Sequence, residues 1–247
     1  WWHILLFSSV VLMLALAPST YSRTCRSTIA RQIVRATASN LMWFSVLSAL
    51  ISVVLVRIVV VTALSYGLSR FAIEMVVRVL VLELIPLSAA MFVALRYTLP
   101  DSAEIEQMRA QGALDALQRQ GIDPIRHEFF PRVLAGVFSV WMLGAVSCIM
   151  TLVLAYLALY GFSPWGLAGY TRVVGQVFNP AVTMILVLKI FFFSLAVSLI
   201  PLASSYYERL AEIPRSRTDL ATGLAGMVRL FAFVLLIEVA SLMGNYY

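Results

Sequence analysis

The chain has 247 residues, 62% hydrophobic and 12% charged, with a mean hydropathy of +0.93 and a net charge of +6. A soluble domain carries about 25% charged residues, so these values exclude a soluble enzyme and describe an integral membrane protein with several spans. Every basic residue except Lys189 is arginine, and the excess reports topology rather than nucleic acid, because cytoplasmic loops of membrane proteins collect Lys and Arg.

Residues 1–17 (WWHILLFSSVVLMLALA) are apolar but short of the roughly 20 residues a spanning helix needs. The chain begins with Trp rather than Met, which leaves its natural start open. Ala15-Leu16-Ala17 resembles a signal-peptide cleavage pattern, but no basic segment precedes it. An interfacial helix with Trp1 and Trp2 at headgroup depth is the favoured reading. Residues 18–38 carry Arg23, Arg26, Arg31 and Arg35 without an acid and read as a positive anchor on anionic lipid.

A first span is expected at about 39–62, interrupted by Arg57, and a second at about 73–95. The second is the most polar, with Glu74, Arg78, Glu83 and then Pro86. Glu74 and Arg78 are four apart and can pair on one helix face. Glu83 lies about half a turn away and needs another partner or water. Ionisable groups at such depth face a bundle interior or a wet cavity, and Pro86 frees a backbone carbonyl and is expected to kink the helix.

The polar insert at about 96–131 holds much of the chain's charge. It reads as a helix over 102–120, capped by Asp101 or Ser102, with Glu104 in its first turn. Gly121 closes it and Asp123-Pro124 turns the chain away. Ile105, Met108, Leu114 and Leu117 form a narrow apolar stripe, which suits a helix at the membrane surface beneath a partner. Three further spans fit about 133–160, 177–204 and 220–243, with loops at 161–176 and 205–219.

The N-terminal segment, the insert and the loop 205–219 (Arg209, Arg215, Arg217) hold four, five and three arginines, against two, Arg70 and Arg172, in the opposite connections. Five spans alternate with this bias, placing the N-terminus in the cytoplasm and the C-terminus on the far side. There is no G-x-x-x-x-G-K-[ST], no G-x-S-x-G, no H-E-x-x-H and no close Cys pair. The motifs of a nucleotide site, a hydrolase or a zinc protease are therefore missing, and Cys25 and Cys148 fall at different depths, where no disulfide is expected. With His3 and His127 as the only histidines, a metal site is not expected either. An enzyme is the weakest candidate.

The insert's motifs are more specific. Glu83-Leu84-Ile85-Pro86 is followed by Ala94-Leu95-Arg96, Glu104-Ile105-Glu106-Gln107-Met108-Arg109, Leu114-Asp115-Ala116-Leu117, Ile122-Asp123-Pro124-Ile125-Arg126 and Pro131-Arg132-Val133-Leu134-Ala135. This run, gap-free in its spacing, resembles the signature of the MlaE (YrbE) permeases, which work with MCE-domain lipid-binding proteins in ABC transporters. Similarity extends more weakly from Arg31 to the C-terminus. The resemblance implies an all-α integral membrane protein with an N-terminal interfacial helix, five transmembrane helices and a cytoplasmic coupling helix between spans two and three. As one permease domain, 1–38 is the interfacial helix and basic segment, 39–95 spans one and two, 96–131 the coupling region and 132–247 spans three to five.

The resemblance further implies a second permease copy or paralogue, cytoplasmic ABC ATPase subunits that bind the ATP and Mg, a periplasmic MCE-domain protein, phospholipid as substrate and the bacterial inner membrane as location. By position, Glu83 lies near the lipid pocket, and Glu74, Arg78 and Arg57 are the other polar intramembrane candidates. Glu104, Met108, Arg109, Asp115, Leu117, Asp123 and Arg126 belong to the ATPase-docking region. Plainer readings stand beside these: a structural hydrogen bond for Glu83, a structural ion pair or snorkelling for Arg57 and Lys189, a solvated loop helix for the insert, and packing or lipid contact for Trp141, Met184 and Phe191 to Phe193. The family's glycines are replaced at Ile85, Leu95, Thr98 and Glu106, and its first-span glycine tract by Val56-Arg57-Ile58-Val59-Val60. A divergent member is expected, serving in a heterodimer or on a different lipid. The rival class is a stand-alone channel or secondary carrier with an ion path along span two.

Overall fold

A computed structural model describes residues 2–17, 23–67, 69–121, 123–207 and 219–246, and among these every regular element is a helix. Five helices are long and apolar enough to cross a membrane: Cys25–Ala63, Ile73–Ala110, Ile125–Tyr160, Pro180–Tyr206 and Gly226–Gly244, spans one to five below. A shorter apolar helix, Trp2–Leu16, precedes them. The chain is an all-α membrane protein.

Spans two and four form the interior: 61% of each apolar window is buried, against 28% for spans one, three and five. Span one packs along span three through a four-residue repeat. Ala36, Asn40, Phe44, Ser48, Ser52, Val56 and Val60 are buried on one side, and Ser139, Leu143, Ser147, Thr151 and Ala155 on the other. Small and hydroxyl side chains at that spacing let two backbones approach closely in lipid, where water supplies no hydrophobic drive. The two helices run parallel, since the Ser139 hydroxyl donates to the Ala36 carbonyl at 3.2 Å and the Ser52 and Thr151 hydroxyls meet at 2.8 Å. The N-terminal helix buries Phe7 and Val11 against Leu199, Leu202 and Ala203 of span four, leaving Leu5, Leu12, Met13 and Leu16 exposed.

Several boundaries differ from the sequence expectations. Among the described residues a single helix runs Arg23–Ser65, so Arg26, Arg31 and Arg35 lie on the same helix as span one. No Gly or Pro falls between those ends, so nothing stops the helix. The helix expected over 102–120 is two. Span two continues without a break to Ala110, and Gly112 (φ +74) then turns the chain into a seven-residue helix, Ala113–Arg119. Asp101 and Ser102 are accordingly not caps but buried positions inside span two. The connection after span three contains a helix of its own, Leu167–Val177. Arg209, Arg215, Arg217 and Ile122 lie outside the described residues.

Candidate functional site

Span two is irregular where its charge lies. Val76–Leu84 is π-helical, and the Ile85 N–H bonds back to the Leu80 carbonyl, five residues earlier. Pro86 follows with no N–H to give. The carbonyls four and five residues before it, Leu82 and Val81, are thereby released from the helix. Both find side-chain donors from other spans: the Leu82 oxygen accepts from Lys189 Nζ at 3.2 Å, and the Val81 oxygen lies 3.7 Å from the Cys148 thiol.

Lys189, only 3% exposed, is the centre of a buried ionic triad. Its ammonium pairs with the Glu83 carboxylate of span two and lies 2.8 Å from Glu238 Oε2 of span five, with the Phe193 ring 5.7 Å away. An ammonium this far from water needs opposite charge and hydrogen bonds to stay ionised. Here it has two carboxylates, a freed carbonyl and an aromatic face. The triad joins spans two, four and five at one point.

A second node ties the ends of spans one, two and three where the insert begins. Arg132, also 3% exposed, reaches Asp101 at 2.9 Å, Glu104 at 3.4 Å and Glu128 at 3.3 Å. Met108 Sδ lies 3.7 Å from the same guanidinium. Glu104 also takes Arg35 of span one at 3.2 Å. Nearby, Arg109 donates to the Tyr206 carbonyl at 2.8 Å, and the Ser205 hydroxyl donates to Glu106 at 3.0 Å, fastening span two to the end of span four.

The remaining sequence candidates disperse. Glu74 and Arg78 pair at 3.1 Å on a half-exposed face, one turn inside the other end of span two. Arg57 is exposed on the outward side of span one. Asp115 is half-buried in the first turn of the short helix, Leu117 packs beneath it with the cluster around Phe129, and Arg126 is exposed. The Asp123 carboxylate accepts the Ile125 N–H at 3.0 Å and so starts the helix leading into span three. Among the described residues no three His, Cys, Asp or Glu side chains gather as a metal site.

Sequence reasoning did not single out Glu238, although an acid inside the fifth apolar stretch carries the same signal that marked Glu83. It also read Asp101 or Ser102 as a cap and left Arg132 and Glu128 without a partner. Their pairing joins positions 31 and 4 residues apart, respectively, and only the second spacing is helical.

The family model described as Permease MlaE matches residues 29–243. The chain is similar to a probable ABC transporter permease protein of Rickettsia conorii, 31% identical over 147 residues that make up 58% of this chain and 57% of that protein. Probable ABC transporter permease proteins of Rickettsia felis and Rickettsia prowazekii are each 30% identical over 147 residues. The matched stretch thus spans little more than half the length of these relatives, 57%.

Proposed function

The chain belongs to the MlaE permease family, and on that premise we propose that it is the membrane subunit of an ABC transporter for phospholipid or a similar hydrophobic molecule. In this reading a dimer of permeases passes the molecule between the inner membrane and a periplasmic MCE-domain partner, while separate cytoplasmic ATPase subunits hold the ATP and Mg. The segment 111–125 is the surface those subunits grip.

One observation carries the reading. The root of the insert is bonded to four spans: Arg132 gathers Asp101, Glu104 and Glu128, Arg35 joins through Glu104, and Arg109 and Glu106 hold span four. Force applied at the insert is therefore delivered to the bundle rather than absorbed by a loose loop. Deeper in, the Lys189 triad offers a charged junction whose rearrangement would let spans two, four and five move relative to each other. The rival, an ion path along span two, is less well supported. Glu74 pairs with Arg78 and Glu83 with Lys189, on separate faces, so these groups do not line one route.

Purification in mild detergent tests the assembly: an ATPase and an MCE-domain protein are expected to come through in stoichiometric amounts. The variant Asp115→Arg should insert normally, yet lose ATP-dependent lipid transfer in reconstituted vesicles together with the ATPase. Full transfer and full ATPase retention would remove the docking role.

A further inference from the structure

One end of the bundle is rimmed with aromatic side chains that touch little of the protein. Phe162 is 95% and Trp165 93% exposed, both in the turn after span three, and Tyr66 (76%) and Phe71 (52%) come from the connection between spans one and two. The opposite end exposes Gln118, Arg119, Gln120, Arg126 and His127 instead.

The turn carrying Phe162 and Trp165 does not project away from the bundle. Gly161 (φ +61) reverses the chain, the Tyr156 hydroxyl donates to the Ser163 carbonyl, and Gly166 lies so close to the Tyr160 ring that no Cβ would fit between them. The Tyr170 hydroxyl, in the helix that follows, donates to the Leu152 carbonyl at 2.8 Å. Burial pushes the Tyr170 phenol up to about 12, so it remains a donor at any working pH. Tyr156, Tyr160 and Tyr170 pack around this contact, Tyr170 edge-on to the other two, with ring centroids 5.3 to 6.5 Å apart. The turn is thus pinned against the last turns of span three, at the level where the apolar helix ends.

We propose that this aromatic rim seats that end of the bundle in the headgroup layer of the bilayer, with Phe162 and Trp165 as the side chains that enter the boundary between headgroups and acyl chains. Tyr and Trp rings combine an apolar body with a polar tip and settle at that depth. Phe162 has no polar tip, and the acyl boundary is the nearest medium that removes it from water. A bilayer fits better than a protein surface because the rings come from two separate connections, both placed at span ends. The proposal needs only that the chain spans a membrane, and it stands or falls separately from the ATPase-driven reading.

The test uses the full chain with Trp165 as sole tryptophan (Trp1, Trp2, Trp43 and Trp141 each →Phe) in phosphatidylcholine–phosphatidylglycerol vesicles. Phospholipids brominated near the head of the acyl chain should quench Trp165 at least about twofold more than those brominated at the chain end, as an interfacial depth requires. Aqueous iodide should quench weakly. Strong iodide quenching without lipid quenching would overturn the proposal by placing the turn in water. Protection from both quenchers would overturn it in favour of a covering protein, whether a second copy or another partner. Should the four-substituted chain fail to insert, Trp165→Cys in a Cys25→Ser, Cys148→Ser background, labelled with a polarity-sensitive dye, gives the same reading. Blue-shifted emission quenched by shallow spin-labelled lipid is expected, and water-like emission would refute the idea.

Discussion

Lys189 is the residue on which most depends. Removing it with Lys189→Met leaves Glu83 and Glu238 buried beside each other without a cation. Breaking a buried ionic group in this way costs about 3–5 kcal/mol, and thermal unfolding in detergent should show a correspondingly large drop. The joint variant Glu83→Gln, Lys189→Met, Glu238→Gln removes every charge together and should recover a good part of that loss. Equal instability in both variants would mean that packing, not charge, sets the cost. The sequence marks Glu83 and Lys189 as ionisable groups in apolar stretches, and leaves Lys189 between a structural ion pair and snorkelling. That they belong together was hidden, because 106 residues separate them and no helical spacing relates them. Pro86 was legible as a residue that frees a carbonyl, but which side chain answers it was decided by span four.

At the level of the elements, close packing and one turn decide the geometry. Gly136 of span three lies where spans two, three and four converge. A Cβ there would come within 2.6 Å of Ser198 Oγ and 3.4 Å of Thr98 Cγ2. Thr98 stands where the family pattern has glycine, so the close approach that glycine allows is made from the span-three side at this contact. Gly136→Val is expected to destabilise by about 1–3 kcal/mol through overpacking. Gly136→Ala should cost less in a Ser198→Gly background than alone, a coupling that a double-mutant cycle reads directly. Gly112 tests the insert in a different way: at φ +74 an alanine is strained by about 1 kcal/mol. Gly112→Ala should thus lower ATP-dependent transport by changing how the Ala113–Arg119 helix leaves span two, while the melting temperature moves only a few degrees. The two-part nature of this region escaped the sequence reading because Ile105, Met108, Leu114 and Leu117 keep an apolar stripe across the break. A single internal glycine does not by itself announce the left-handed turn that Gly112 makes.

For the whole molecule, hydropathy alone separated the spans and the number of crossings, since lipid permits few backbone solutions. It did not reveal which spans are central. Spans two and four owe their position to features that look unfavourable locally, an irregular π-helical stretch and a lone lysine, each satisfied by the other. The orientation suggested by arginine placement can be checked on the same scale. In a chain lacking Cys25 and Cys148, Arg172→Cys should react with a membrane-impermeant maleimide from outside spheroplasts. Arg119→Cys should react only after permeabilisation. The reverse pattern would invert the topology and take the insert away from the cytoplasm.

Two struts join the interior helices at the insert, Glu106 to Ser205 and Arg109 to Tyr206. They run from side chains three residues apart on span two to neighbouring residues on span four. A pull on the insert therefore reaches spans two and four together at this edge, while the Lys189 junction sits deeper between them. Cutting one strut would leave a protein that still assembles but whose halves no longer answer the same tug.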